Sequence, residues 1–319
     1  MSVNSEQYRA LNWKDVFRSE VYSADVYTLA MVLLYSLLAI VYYQHIPMAA
    51  TLLLVNVLIT AVIGCSILLA HTTQYKSIWL VRYFYSIPVI YIMYDQTHYF
   101  VRLVHPHDYD ALLESIDRWL FGVNPTDWFT AHSAPLVTEY LQICYFLFYV
   151  LPVTHAIELW TKQDITRLKF FARNMSFVYF ASYLAYFALP AIGPRFTIHE
   201  FAATSVELPG VLVTETLRSI VNAGGGIPAG SVNPAEMVNR DCMPSGHTML
   251  TLVNIVLGFC FGSKFRWFFC VIGGSLIIST VYLRYHYAID VIVGVILVAG
   301  LMPLEILVDK YCRNRLKNR

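Results

Sequence analysis

Charge is scarce in this chain. Asp, Glu, Lys and Arg make up 13% of its 319 residues, while hydrophobic residues make up 57%; a soluble globular domain carries about 25% charged residues. A surface so poor in charge cannot face water throughout, so lipid contact is expected. The formal net charge of +1 gives no basic footprint for nucleic acid, and none is expected as a partner. No Cys-x-x-Cys pair occurs among Cys65, Cys144, Cys242, Cys260, Cys270 and Cys312. They read as small apolar residues, with neither a disulfide framework nor a metal site. The run Gly224-Gly225-Gly226 lacks the Lys-Ser/Thr that completes a phosphate-binding loop, and reads as a connector. Residues 1–25 mix both charge signs and contain no apolar signal-peptide core, so they read as a cytoplasmic N-terminal segment. No internal repeat or low-complexity tract is present.

Long apolar runs are what the chain has instead. A span needs about 20 mostly apolar residues. Eight candidates follow at residues 26–43, 48–70, 78–100, 136–160, 170–192, 248–261, 267–282 and 288–308. The sixth is short and is expected to reach back through Gly246 and His247. Only a few residues around Pro47 separate the first two, which predicts a tight helical hairpin. The fold expected is an all-α polytopic bundle of about eight membrane helices. Its parts would be an N-terminal hairpin (26–70), a six-helix core (78–308) and a basic cytoplasmic tail (309–319).

Lysine distribution orients the bundle. With eight spans both termini share a side, and every lysine falls there: Lys14, Lys76, Lys162, Lys169, Lys264, Lys310 and Lys317. The opposite side receives Arg102, Arg118, Arg195, Arg218, Arg240 and Arg284 and no lysine. Positive charge marks the cytoplasmic side, so both termini are expected there. Two longer stretches face the other way. Residues 112–121 carry Glu114, Asp117 and Arg118 on one side of a helical pattern. They read as an interfacial helix, anchored by Trp119 and Trp128. The stretch 193–241 includes a helical pattern at 211–221.

Ionisable groups near a membrane are costly and are functional candidates. Three clusters stand at span ends on the non-cytoplasmic side. In Cys242-Met243-Pro244-Ser245-Gly246-His247-Thr248, Ser245 suits an N-cap. The N–H groups near Ser245 and Gly246 then form an anion site at a helix start, with His247 in the first turn. In Arg284-Tyr285-His286-Tyr287-Ala288-Ile289-Asp290, His286 and Asp290 are four apart and would share a helix face. A carboxylate bonded to one ring nitrogen leaves the other as nucleophile. Arg284 is a planar phosphate clamp, and Arg195, in Gly193-Pro194-Arg195-Phe196, would be a second. Asp95 and His98, toward the outer end of the third span, are candidates for touching substrate. His155 and Glu158 read as a structural pair at the cytoplasmic end. His105, His107, His132 and His199 read as loop histidines.

On these motifs the sequence resembles the type 2 phosphatidic acid phosphatase superfamily. Pro244-Ser245-Gly246-His247 matches its second motif in full. Ser279, His286 and Asp290 keep the register of its third, Ser-Arg, five residues, His, three residues, Asp, but Thr280 replaces the arginine. Of its first motif only Arg195 survives, and the lysine is missing. The eight spans and Asp117-Arg118-Trp119-Leu120-Phe121-Gly122 look like the branch with the inositol phosphorylceramide synthases. The resemblance implies no cofactor and no metal. It implies a phosphohistidine formed on His286, His247 as general acid and then base, and Asp290 orienting His286. Arg195, Arg284 and the N–H groups near Ser245 would hold the phosphate oxygens. The function implied is a lipid phosphatase acting on a lipid phosphate within the bilayer. The alternative is transfer of a phosphoryl or phospho-headgroup to an alcohol acceptor, and a third reading is a catalytically inactive lipid-binding or transport relative.

Overall fold

The structure, a computed structural model, describes Val16, residues 20–73 and residues 75–317. The expectation placed on Lys14 lies outside the described residues. The fold is an all-α membrane bundle with no strand among the described residues. Helices α1 (Ser23–Val41) and α2 (Ala49–Thr72) form the hairpin, joined through one 3-10 turn at Tyr43–His45. Their outward faces carry exposed Leu33, Leu37, Leu54 and Val57, the pattern of a lipid-facing surface.

Prolines cut two of the expected spans. The third divides into α3 (Lys76–Phe84) and α4 (Ser86–Val104), because Pro88 has no N–H to offer the carbonyl four residues back. Beyond α5 (Asp110–Phe121) and α6 (Pro125–Ala131), the fourth divides into α7 (Pro135–Phe146) and α8 (Val150–Thr161). A 3-10 turn at Leu147–Tyr149 lies between them, with Pro152 just after it. There follow α9 (Ile165–Tyr186), α10 (Thr214–Gly224), α11 (Gly246–Cys260), α12 (Arg266–Tyr282) and α13 (Ala288–Lys317). The sixth span does start at Gly246. Two boundaries change: α1 takes in the end of the expected N-terminal segment, and α13 runs through the expected tail to Lys317.

Four of the described stretches are long and apolar enough to cross a membrane: Ser23–Val41, Ala49–Thr72, Pro135–Thr161 and Ala288–Tyr311. Helices α11 and α12 are apolar but shorter, at 15 and 17 residues. Helix α9 carries Arg167, Lys169 and Arg173, which lower its apolarity.

Helix α11 is central, packed by α8, α9, α12 and α13. Met249, Leu250 and Val253 from α11 meet Val178 from α9 and Phe269 and Leu276 from α12, all buried. Lipid tails are as apolar as leucine, so packing and interhelical polar contacts hold such a bundle together. Those contacts are here: Tyr35 Oη to Thr97 Oγ1 at 2.7 Å, and Gln96 Nε2 to Asn56 Oδ1 at 2.8 Å. The buried Arg82 guanidinium donates to Asp25 Oδ1 at 2.7 Å, and Tyr85 Oη reaches the same oxygen at 2.6 Å. The hairpin is thereby bound to the rest of the bundle. His155 and Glu158 take separate partners. His155 Nδ1 meets Asn254 Oδ1 at 3.0 Å, and Glu158 accepts from Lys162 and from the Lys264 N–H.

Candidate active site

The Pro-Ser-Gly-His turn enters α11 through a cis Met243–Pro244 peptide. Ser245 caps the helix, its Oγ accepting from Thr248 N at 3.3 Å and Thr248 Oγ1 at 3.0 Å. Its own N–H donates to the Asp290 carbonyl at 3.1 Å. Ser245 is buried. It lines neither cavity described below. Gly246 does reach a cavity wall. A Cβ there would lie 2.5 Å from the Tyr186 hydroxyl, so only glycine lets α11 approach α9 this closely. His247, next along, is set between aromatic rings: Tyr145 stacks on it at 4.5 Å and Phe148 lies at 4.2 Å.

The second histidine comes from the turn between α12 and α13. The chain leaves α12 at Tyr282, and Arg284 adopts a left-handed φ of 66°. His286 thus precedes α13 instead of sharing a helix face with Asp290, which sits in the first turn of α13. His286 Nδ1 lies 2.8 Å from the Cys242 carbonyl and 3.5 Å from Asp290 Oδ2. A carbonyl only accepts, so Nδ1 carries a proton, and in the neutral ring Nε2 keeps its lone pair. The tautomer is therefore set by a backbone carbonyl, and the carboxylate acts from slightly further off. Asp290 Oδ2 itself accepts from Tyr287 N at 2.8 Å and Cys242 Sγ at 3.0 Å. The two histidine rings stand 5.9 Å apart, centre to centre.

Ligand-type atoms of Cys242, His286 and Asp290 lie within 4.8 Å of one another. A metal would need the thiolate. Burial, then the charges of Asp290 and Asp110, push the Cys242 thiol well above its ordinary pKa. It stands as a protonated donor to Asp290.

Only one of the two expected arginines joins the histidines. Arg195 lies in the single turn Pro194–Thr197 after Gly193, whose φ is 96°; a Cβ on Gly193 would meet the Tyr285 carbonyl at 2.8 Å. Its Nη1 donates to Asn222 Oδ1 at 2.7 Å, and its guanidinium lies 4.8 Å from the Tyr285 ring centre. Arg195 lines a cavity together with His247 and His286. Arg284 does not. Its Nη1 pairs with Glu207 Oε2 at 2.5 Å and its Nη2 donates to Thr130 Oγ1 at 2.8 Å. The left-handed turn aims it into the outer loops, which corrects its reading as a second clamp.

Helix α5 holds these segments in place. Asp110 accepts from Gly193 N at 2.8 Å, Ile192 N at 3.0 Å and Tyr287 Oη at 2.9 Å. Asp117, two turns on, accepts from Ala288 N and Ile289 N, each at 2.8 Å, and so caps α13. Burial raises the Asp117 carboxyl to about 6 even against those two N–H bonds.

The substrate candidates on α4 separate. Asp95 is exposed and lines neither cavity, which corrects that expectation. His98 lines neither, but both its ring nitrogens are buried without a partner among the described residues. Its ring stands edge-on to Tyr94 at 4.5 Å. Tyr94 donates to Asp241 Oδ2 at 2.5 Å. Asp241 lines the histidine cavity but belongs to no motif, so nothing in the sequence singled it out. Burial alone would raise its carboxyl; His98 and the Tyr94 hydroxyl, followed by the site histidines, bring it below the ordinary value.

Comparison with curated proteins and with solved structures finds no match. The sequence model of the PAP2 superfamily matches residues 112–304. That stretch exceeds half of the chain and includes His247, His286, Asp290 and Arg195. With these four residues gathered at one end of an apolar helical bundle, this membrane protein belongs to the PAP2 superfamily.

Proposed function

We propose that the chain is a membrane lipid phosphatase that hydrolyses a lipid phosphate through a phosphohistidine on His286. The observation that carries this is the Nδ1 contact to the Cys242 carbonyl at 2.8 Å, which in the neutral ring leaves the lone pair on Nε2, in a residue lining the same cavity as Arg195 and His247. Nε2 attacks phosphorus, and His247 protonates the departing alkoxide. Arg195 offsets charge on the equatorial oxygens. Asp290, 3.5 Å from Nδ1, stabilises the cation that forms on His286. Water deprotonated by His247 then releases phosphate. In the expected topology both termini are cytoplasmic and the histidines open to the other side.

A second reading is transfer to a lipid alcohol, as in the inositol phosphorylceramide synthases. It is favoured by an apolar cavity that meets the histidine cavity at His247.

Purified protein given a panel of lipid phosphates, with and without lipid alcohols, tests both readings. Free phosphate supports hydrolysis and a new phospholipid supports transfer. Activity should survive EDTA, and an acid-labile phosphoenzyme should be absent from His286→Ala. Turnover undiminished in that variant would sink the proposal. Labelling a cysteine placed within residues 205–239 from the cytoplasmic side alone would overturn the topology.

A further inference from the structure

Two cavities reach His247, and their walls differ in kind. One extends among α4, α8 and α9, with Ile87, Val153 and Met175 among its lining residues. The other is lined by Arg195 and His286. They share Tyr91, Tyr94, Tyr149, Asp241 and His247. The apolar cavity therefore meets the chemistry at an imidazole and a carboxylate, while the polar one adds a guanidinium.

That asymmetry sorts ligands. Phosphate oxygens need cations and N–H donors, and a carboxylate repels them. Among the neighbouring carboxylates, Asp110 is committed to Ile192, Gly193 and Tyr287, and Asp290, whose Oδ2 takes Tyr287 and Cys242 and whose Oδ1 is buried without a partner among the described residues, lines neither cavity. Asp241 is different. Its Oδ2 accepts from Tyr94, which itself accepts from Asn239 Nδ2 at 3.3 Å, and no donor among the described residues reaches Oδ1. A carboxylate with acceptor capacity to spare, at the end of an apolar cavity, suits a hydroxyl on a hydrocarbon chain.

We propose that the apolar cavity closed by Asp241 is a lipid-alcohol site, and that Asp241 recognises the hydroxyl. This rests on the phosphoryl-transfer reading and adds where the alcohol lies: its chain in the apolar cavity, its O–H donating to Asp241. The alcohol has two sources, the product released on hydrolysis or a second lipid that accepts the phosphoryl group. In the second case the alcohol oxygen bonds to phosphorus as the P–N bond breaks. The electron pair returns to His286 Nε2, and the hydroxyl turns from Asp241 to give its proton to His247.

The test uses the full chain in mixed micelles with radiolabelled phosphatidate as donor and diacylglycerol or ceramide added. A product site shows as competitive inhibition of phosphate release by diacylglycerol; an acceptor site shows as labelled ceramide phosphate. Either supports the proposal if Asp241→Asn weakens the alcohol constant about tenfold, the scale of a hydrogen bond to a charged group, and shifts the donor KM less. Val153→Trp fills the apolar cavity and leaves the carboxylate in place, and it should weaken the alcohol alike. Continued hydrolysis with no effect of either alcohol overturns the site and leaves the phosphatase reading standing. If no donor is turned over, that reading fails instead, and binding of tritiated diacylglycerol decides the site. Loss in both variants supports it, and binding equal to wild type overturns it.

Discussion

Asn222 holds Arg195: the guanidinium Nη1 donates to the amide oxygen at 2.7 Å. A neutral acceptor orients the cation without neutralising it. Asn222→Ala should weaken inhibition by inorganic phosphate by about 3–10-fold, the value of one such bond. Asn222→Asp should weaken it further, because the new carboxylate competes with phosphate for the same cation. An Asp variant as sensitive to phosphate as wild type would mean that Arg195 is not the phosphate-binding group.

Arg284 and Arg195 should separate cleanly. Arg284 is buried and paired with Glu207 and Thr130, so Arg284→Gln strands Glu207 and loosens the outer loops. The expected result is a lower melting temperature with the phosphate inhibition constant little changed. Arg195→Gln should do the reverse. A weaker phosphate constant in Arg284→Gln at unchanged stability would restore Arg284 as a clamp.

Asp117 gives stability a pH dependence. Its carboxyl is raised from 3.8 to about 6 in the folded chain, so between those values the folded state binds a proton that the unfolded state has released. The contribution is fully present below the unfolded pKa and is lost as pH rises through about 6. Thermal unfolding followed from about pH 4 to about pH 7 should therefore show a downward slope that Asp117→Asn flattens. Asp117→Ala removes the cap on α13 altogether and should cost about 0.5–2 kcal/mol.

Glu139 anchors the helix that carries Asn222. Its carboxylate accepts from Val211 N at 2.8 Å, Leu212 N at 3.2 Å, Val213 N at 2.7 Å, Thr214 N at 3.3 Å and Thr214 Oγ1 at 2.6 Å. Glu139→Gln replaces one accepting oxygen with a donor facing N–H groups. Amide exchange across Thr214–Gly224 should then quicken, with phosphate inhibition weakening alongside. Unchanged exchange in α10 would show that other contacts suffice to hold it.

Much of this was readable from apolar runs and short motifs. Each expected span contains helix, and His247, His286 and Arg195 come together because helix starts and turns constrain short segments strongly. What escaped depended on rotation and on partners far away in sequence. The residues before α13 had been given helical phase, but the left-handed turn at Arg284 reverses its side chain. Asp95 drew notice as a charge in an apolar run, yet its neighbour Tyr94 and His98, a turn on, are the residues near the site. Asp241 had no pattern to betray it: its significance comes from where the Tyr94 hydroxyl meets it after folding.

Helix α5 touches the stretches that carry Arg195 and His286 through residues two turns apart, Asp110 at Gly193 and Asp117 at Ala288. The distance between those stretches is thus gauged by a rigid helical ruler and not by the chain running between them. The intervening outer loop is free to lengthen, since each doubling of a flexible loop costs only about 0.6 kcal/mol. New recognition surface can be grafted there without disturbing the alignment of Arg195 with His286.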